Sequence, residues 1–277
     1  MSGADDEHDA PTRTVPREEW IGEEVREGLD EVVREEPLEI RVGTVPIAVV
    51  MRTPGHDLEL ARGFAITERI VEEPAAITSV RHCTRVEHPD AEDNIVQLVL
   101  RSDVVVDLAR LRRNLYSNSS CGICGKATIE QALAVAPPLA ESVRVAMHVL
   151  RELPGRLRAA QEVFARTGGL HAAGLFDGSG AALVVREDVG RHNAVDKVVG
   201  WTAERHATID GCILMVSGRV SFEIVQKALA ARIGVIAAVS APSSLAIELA
   251  RASGIVLVGF VRDDRACVYA GDGRVTP

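Results

Sequence analysis

Apolar and polar residues follow two different patterns along the chain. In the first hundred residues, Pro37–Val42 and Val45–Arg52 alternate or run apolar around Gly43-Thr44, predicting two strands joined by a tight turn. Thr53-Pro54-Gly55-His56-Asp57 breaks that pattern, and Asp57 is placed to cap a helix carrying Leu58, Ala61, Phe64, Ala65 and Ile66. Ile77–Val86 and Asn94–Leu100 read as two further strands around the polar loop Glu87–Asp93. Residues 17–36 are dense in Glu and Arg with scattered Trp20, Ile21, Val25, Leu29, Val32 and Val33, and read as a strand or an irregular edge. Met1–Pro16 is acidic and carries too few apolar residues to pack, so residues 1–16 are expected to be a disordered tail.

The second half reads differently. Val143–Thr167 is one long helical pattern that Pro154 interrupts. Short apolar strands then alternate with helices of about ten residues: Ala172–Phe176 and Ala181–Arg186, helix Asn193–Arg205, Cys212–Val216, helix Phe222–Arg232, Val235–Val239, helix Ser244–Ala252, Ile255–Phe260 and Ala266–Tyr269. This alternation predicts the α/β class, a three-layer α/β/α core with helices on both faces of a sheet. The expected organisation is a tail over 1–16, a smaller β-rich unit over 17–106, a helix-flanked Cys-x-x-Cys loop over 107–136 and the α/β core over 137–277.

Composition sharpens this. The 277 residues are 47% hydrophobic but only 3% aromatic, so the core is built from Ala, Val, Leu and Ile. A net charge of −9 argues against a nucleic-acid surface, while leaving room for a local basic patch. No run approaches a membrane helix and no signal-peptide pattern opens the chain, so a cytoplasmic protein with no membrane partner is expected. There the five cysteines stay reduced, and a close pair points to function more than to a structural disulfide.

That pair is Cys121 and Cys124, in Ser117-Asn-Ser-Ser-Cys-Gly-Ile-Cys-Gly-Lys126. Leu108, Leu111, Leu115 and Tyr116 before it, and Ala127, Ile129, Ala132 and Leu133 after it, recur at helical spacing, so the loop joins two helices. A thiol near a helix N-terminus and beside Lys126 is biased towards thiolate, the nucleophilic form. Other readings compete. Structural zinc requires four ligands, and Cys83, Cys212 and Cys267 stand alone, with only Arg81-His82-Cys83 as a compact second half. No structural metal is expected. A thioredoxin-type switch normally follows a first strand in a small domain, unlike this loop. The zinc deaminase pattern lacks its His-x-Glu, and Ser120 stands where its proline belongs.

Polar clusters follow the predicted strands: Arg186–Lys197, Ser217-Gly218-Arg219, Ser240-Ala241-Pro242-Ser243-Ser244 and Gly259-Phe260-Val261-Arg262-Asp263-Asp264-Arg265. Ligands of open α/β sheets bind at the carboxyl ends of strands. Gly, Ser and Arg there suit phosphate, and the last cluster adds Phe260 to stack on a base and Asp263 and Asp264 to accept from a guanine edge. The competing reading is ordinary caps and turns, since Ser-Ala-Pro-Ser-Ser starts a helix well by itself.

Together, Thr53–Ala61, Cys121-Gly122-Ile123-Cys124-Gly125, Arg186–Lys197, Ser217-Gly218-Arg219 with Ser221-Phe222-Glu223, Ser240–Ser244 and Gly259–Arg262 resemble the formate dehydrogenase accessory sulfurtransferase family, FdhD. The resemblance implies a maturation factor with a cytidine-deaminase-like core, acting as a homodimer. It implies that Cys121, with Cys124 beside it, receives sulfur from a cysteine desulfurase as a persulfide. The sulfur then passes to the molybdenum bis(molybdopterin guanine dinucleotide) cofactor of formate dehydrogenase. The implied cofactor site is Phe260, Val261, Arg262, Asp263, Asp264 and Arg265, with Ser217 and Arg219 near it, and GDP is a mimic of the cofactor. Two rival classes are a redox protein switching through a Cys121–Cys124 disulfide and a non-catalytic chaperone that only binds the guanine cofactor.

Overall fold

The computed structural model describes residues 10–83, 93–104, 136–140 and 143–277. It opens with a hairpin, β1 (Thr12–Ile21) and β2 (Glu24–Val33), antiparallel in full register from Thr12↔Val33 to Ile21↔Glu24. The expected tail is therefore shorter than 1–16, because the β1 backbone from Thr12 pairs with β2; residues 1–9 lie outside the described residues. Next come β3 (Glu36–Val42), β4 (Val45–Arg52), α1 (Asp57–Thr67), a single 3-10 turn at Pro74–Ala76, β5 (Ile77–His82) and β6 (Ile95–Leu100). These strands form a four-stranded sheet ordered β4-β3-β6-β5, in which only β3 and β6 run parallel.

Later elements are β7 (Val145–Ala146), α2 (Met147–Ala159), α3 (Glu162–Thr167), β8 (His171–Phe176), β9 (Ala182–Asp188), α4 (Arg191–Glu204), β10 (Ile213–Val216), α5 (Phe222–Ala230), β11 (Val235–Ala238), α6 (Ser244–Ala252), β12 (Val256–Gly259), β13 (Cys267–Ala270) and β14 (Val275–Thr276). The single helix expected over Val143–Thr167 is two helices. The chain runs through Pro154 without ending and breaks instead at Ala160-Gln161.

The main sheet has six strands ordered β13-β12-β11-β10-β8-β9, with β10, β11 and β12 parallel to one another. Side chains alternate across it with the period of two that a pleated strand imposes. Ile213, Met215, Val235, Ala237, Val256 and Val258 meet Val149, Leu150, Leu153 and Leu157 of α2 on one face. Leu214, Val216, Ile236, Ala238 and Leu257 join the apolar sides of α4, α5 and α6 on the other. Helix, sheet and helix give the three-layer α/β/α core, and each fully buried aliphatic side chain in it contributes about 1.5–3 kcal/mol.

The same apolar cluster continues into α1 and, through Leu38, Ile40, Val96 and Leu98, into the four-stranded sheet. Two glycines let α1 and α4 touch through their backbones. A Cβ on Gly63 would lie 1.8 Å from the Asp196 carbonyl oxygen, and one on Gly200 1.8 Å from that of Glu59. The N-terminal unit is thereby locked to the helix that leads away from the strand-end loops.

Candidate functional site

Parallel β10, β11 and β12 bring their carboxyl ends to one edge, so Ser217, Ser240 and Phe260 share it. Because β8 runs antiparallel to β10, its first residue, His171, comes to the same edge and pairs with Asp188 at the end of β9. Backbone bonds knit the loops together: Phe260 N–H donates to the Ser240 carbonyl at 3.2 Å, Val261 N–H to that of Ala238 at 2.9 Å, and Val220 N–H to that of Ala241 at 3.1 Å. Ser217 accepts from the Ala172 N–H through its hydroxyl oxygen at 2.9 Å. A strand spacing of about 4.8 Å puts Ser217 and Phe260 about 10 Å apart, with β11 between them.

The expected cofactor residues divide by role. Phe260 adopts φ 52, a left-handed conformation uncommon for a bulky residue, and the turn that follows is closed by Arg262 N–H donating to the Arg265 carbonyl at 2.7 Å. The Arg265 guanidinium carbon lies 5.5 Å from the Phe260 ring centroid. Val261 is fully buried and packs into the α2 face, leaving its side chain unavailable to a ligand. Arg262, Asp263, Asp264 and Arg265 are exposed, as is Arg219, and none of the five forms an ion pair with a described residue. Cys121 and Cys124, with the helices expected around them, lie outside the described residues.

The Arg186–Lys197 segment is divided in the same way. Asp188, fully buried, accepts from the Thr53 N–H, the Gly190 N–H and the Asn193 amide, and pairs with Lys197 at 2.8 Å. Lys197 also donates to the Thr53 carbonyl at 2.9 Å. Arg186 makes a two-point contact with Glu59, at 2.6 and 2.9 Å. These residues therefore fasten Thr53–Asp57 to the strand end. Asp57 is the first residue of α1 and its carboxylate takes the buried Arg52 guanidinium at 2.7 Å; it does not cap the helix, whose N-cap is His56. Behind this layer, Lys227 bridges Asp196, Glu68 and Thr67; burial opposes its charge, but Asp196 and Glu68 raise its pKa.

Arg191 and His192 face the other way. A Cβ on Gly218 would lie 3.4 Å from His171 Nδ1 and 3.8 Å from Arg191 Cδ, so this glycine lets the two side chains close over the loop. Burial lowers the His171 pKa, and the Arg191, His192 and Arg219 charges lower it further, which keeps the imidazole neutral at pH 7. His192 Nε2 lies 3.3 Å from Ser221 Oγ and 3.6 Å from Glu223 Oε2. Burial would raise the Glu223 pKa, but the neighbouring His192 and Ser221 side chains win and bring it down to about 2. A cavity of about 550 Å³ opens beside this cluster, lined by His171, Ser217, Gln161, Leu157 and Arg158, the last stacked 4.1 Å over Phe164. His171 carries no local signal in the sequence, since only strand pairing brings it here, whereas Glu223 is visible in Ser221-Phe222-Glu223.

This edge thus presents Arg191, Arg219, Arg262 and Arg265 with no carboxylate partner among the described residues, beside an aromatic ring and two exposed carboxylates. Among the described residues no group of three His, Cys, Asp or Glu is arranged to hold a metal ion, and no helix is long and apolar enough to cross a membrane. A family model described as the FdhD/NarQ family matches residues 33–276. The chain belongs to the FdhD/NarQ family. Relatives include "Sulfur carrier protein FdhD" of Mycobacterium tuberculosis, 49% identical over 249 residues covering 87% of this chain and 90% of that one. The protein of the same description from Streptomyces coelicolor is 47% identical, covering 89% of each chain. In fold, the FdhD/NarQ architecture described above matches a Desulfotalea psychrophila crystal structure described as a formate dehydrogenase accessory protein. The TM-score is 0.74 at 21% identity, over 96% of this chain and 100% of that one.

Proposed function

We propose that this protein is a cytoplasmic sulfur carrier that takes sulfur from a cysteine desulfurase and delivers it to the molybdenum bis(molybdopterin guanine dinucleotide) cofactor used by a formate dehydrogenase. The observation that carries this reading is the strand-end edge, where four arginines lack carboxylate partners among the described residues, on the same edge as Phe260, Asp263 and Asp264. A guanine dinucleotide, as cargo, supplies what those groups lack: phosphates for the guanidiniums, a flat base for the ring and N–H donors for a carboxylate. The relatives' description as sulfur carriers supports the same reading.

In the sulfur step, the Cys121 thiolate attacks the outer sulfur of the donor's persulfide. An S–S bond forms at Cys121 while the donor cysteine leaves as a thiolate, and Cys124 relays or shields the product. A homodimer would let the loop of one subunit serve the strand ends of the other.

The test is complementation. In cells lacking their own family member, the wild-type chain should restore formate dehydrogenase activity, while Cys121→Ala should accumulate as folded protein and restore none. Full activity with Cys121→Ala would instead leave a chaperone that binds the cofactor without carrying sulfur.

A further inference from the structure

At the opposite edge of the main sheet, the end of α6 and the turn from β13 to β14 border an open cavity of about 260 Å³ lined by Arg251, Ala270, Gly271, Asp272 and Arg274. The turn is fixed. Gly271 sits at φ 95, where an added Cβ would come within 2.8 Å of Val256, and Arg274 N–H donates back to the Gly271 carbonyl at 3.0 Å. Three guanidiniums are held around it by neutral acceptors. Arg274, only 9% exposed, donates to the Gly254 carbonyl at 2.7 Å; Arg251 donates to that of Tyr269 at 3.0 Å; Arg144 donates to that of Gly273 at 3.1 Å.

A carbonyl orients a guanidinium without neutralising it, and none of the three forms an ion pair with a described residue. This is no shortage of acid, since the chain carries 40 Asp and Glu against 31 Lys and Arg, and elsewhere it pairs buried arginines such as Arg52 with carboxylates. A buried cation without a counter-charge is costly, so a site that keeps Arg274 in this state gains from an anion arriving from solution. Among the described residues Asp272 is the one acid lining the cavity, and two guanidiniums there outweigh it.

We infer that this cavity binds a phosphate group, held between the Arg251 and Arg274 forks, independently of the strand-end edge. Two fork-shaped donors entering from a helix end and from a strand start suit a tetrahedral oxyanion.

Calorimetry at low ionic strength with inorganic phosphate tests this in wild type, Arg251→Gln, Asp272→Asn and Arg262→Ala. Arg251 lies exposed on the last turn of α6, so its replacement leaves the fold intact. Arg251→Gln should weaken binding about tenfold or more. Asp272→Asn should tighten binding, and Arg262→Ala, at the other edge, should leave this component unchanged. Glycerol phosphate run in parallel separates the sources: equal or tighter binding points to a phosphate-bearing organic ligand, weaker binding to free phosphate. Absence of any phosphate binding to wild type, or an isotherm unchanged in Arg251→Gln, overturns the inference.

Discussion

The two halves of the Arg186–Lys197 segment treat charge in opposite ways. Asp188, Lys197 and Arg186 turn inward, and each meets an opposite charge at 2.6–2.8 Å. Arg191 turns towards the strand ends, where it stands with Arg219, Arg262 and Arg265 without a carboxylate partner among the described residues, while His192 beside it meets Glu223 at 3.6 Å. A single polar motif thus performs two tasks. Its paired charges fix the Thr53–Asp57 turn and hence the rim, while its unpaired Arg191 adds to a local positive field on a chain of net charge −9. The difference separates residues whose loss should cost stability from residues whose loss should cost binding.

The largest expected effect is on the inner set. Asp188→Ala would strand the buried Lys197 cation and the Thr53 and Gly190 N–H donors, and should cost about 3–5 kcal/mol in denaturant unfolding. The matching change at the rim, Arg219→Ala, should shift stability by less than about 0.5 kcal/mol. Equal losses from both would erase the distinction.

Next in size is ligand binding. A charge-assisted contact contributes about 1.5–3 kcal/mol, so calorimetry on Arg262→Ala and Arg265→Ala should show GDP binding roughly ten- to hundredfold weaker, with melting temperatures close to wild type. No GDP binding to wild type, or undiminished affinity in both variants, would separate the unpaired arginines from the cofactor.

The smallest effect concerns pH. Glu223 has a folded pKa of about 2 against an ordinary 4.5, so its contribution is complete above pH 4.5 and is lost as pH falls from there towards 2. Allowing for solvent screening, the contribution is about 1 kcal/mol. The stability gap between wild type and Glu223→Gln should therefore close over that interval. A constant gap would show that the contacts with His192 and Ser221 do not act through charge.

Much of the fold was legible because the core strands and helices carry clean periodicities. Strand faces from Cys212 to Phe260 alternate as written, and α6 spans Ser244–Ala252 as its Ser243 cap and apolar spacing require. The N-terminal hairpin was harder to read. In its register Pro16 faces Leu29 and Trp20 faces Val25, an apolar stripe on one side, but Glu18 and Glu27 interrupt it and mask the alternation. Asp57 was misread for a different reason: in sequence a carboxylate before an apolar run looks like a cap, and only the turn through Pro54-Gly55 brings Arg52 back onto it. The same limit applies to the site. Gly, Ser and Arg after strands marked the edge, whereas the partnership of Asp188 with Thr53 spans 135 residues and has no local signature.

Whether sulfur travels on this chain is decided by intact-mass spectrometry after incubation with a cysteine desulfurase and cysteine. The wild-type protein should gain the mass of one sulfur atom, reversed by reductant and absent from Cys121→Ala. A wild-type mass that stays unchanged, or that falls by two hydrogens as Cys121 and Cys124 close a disulfide, would contradict it.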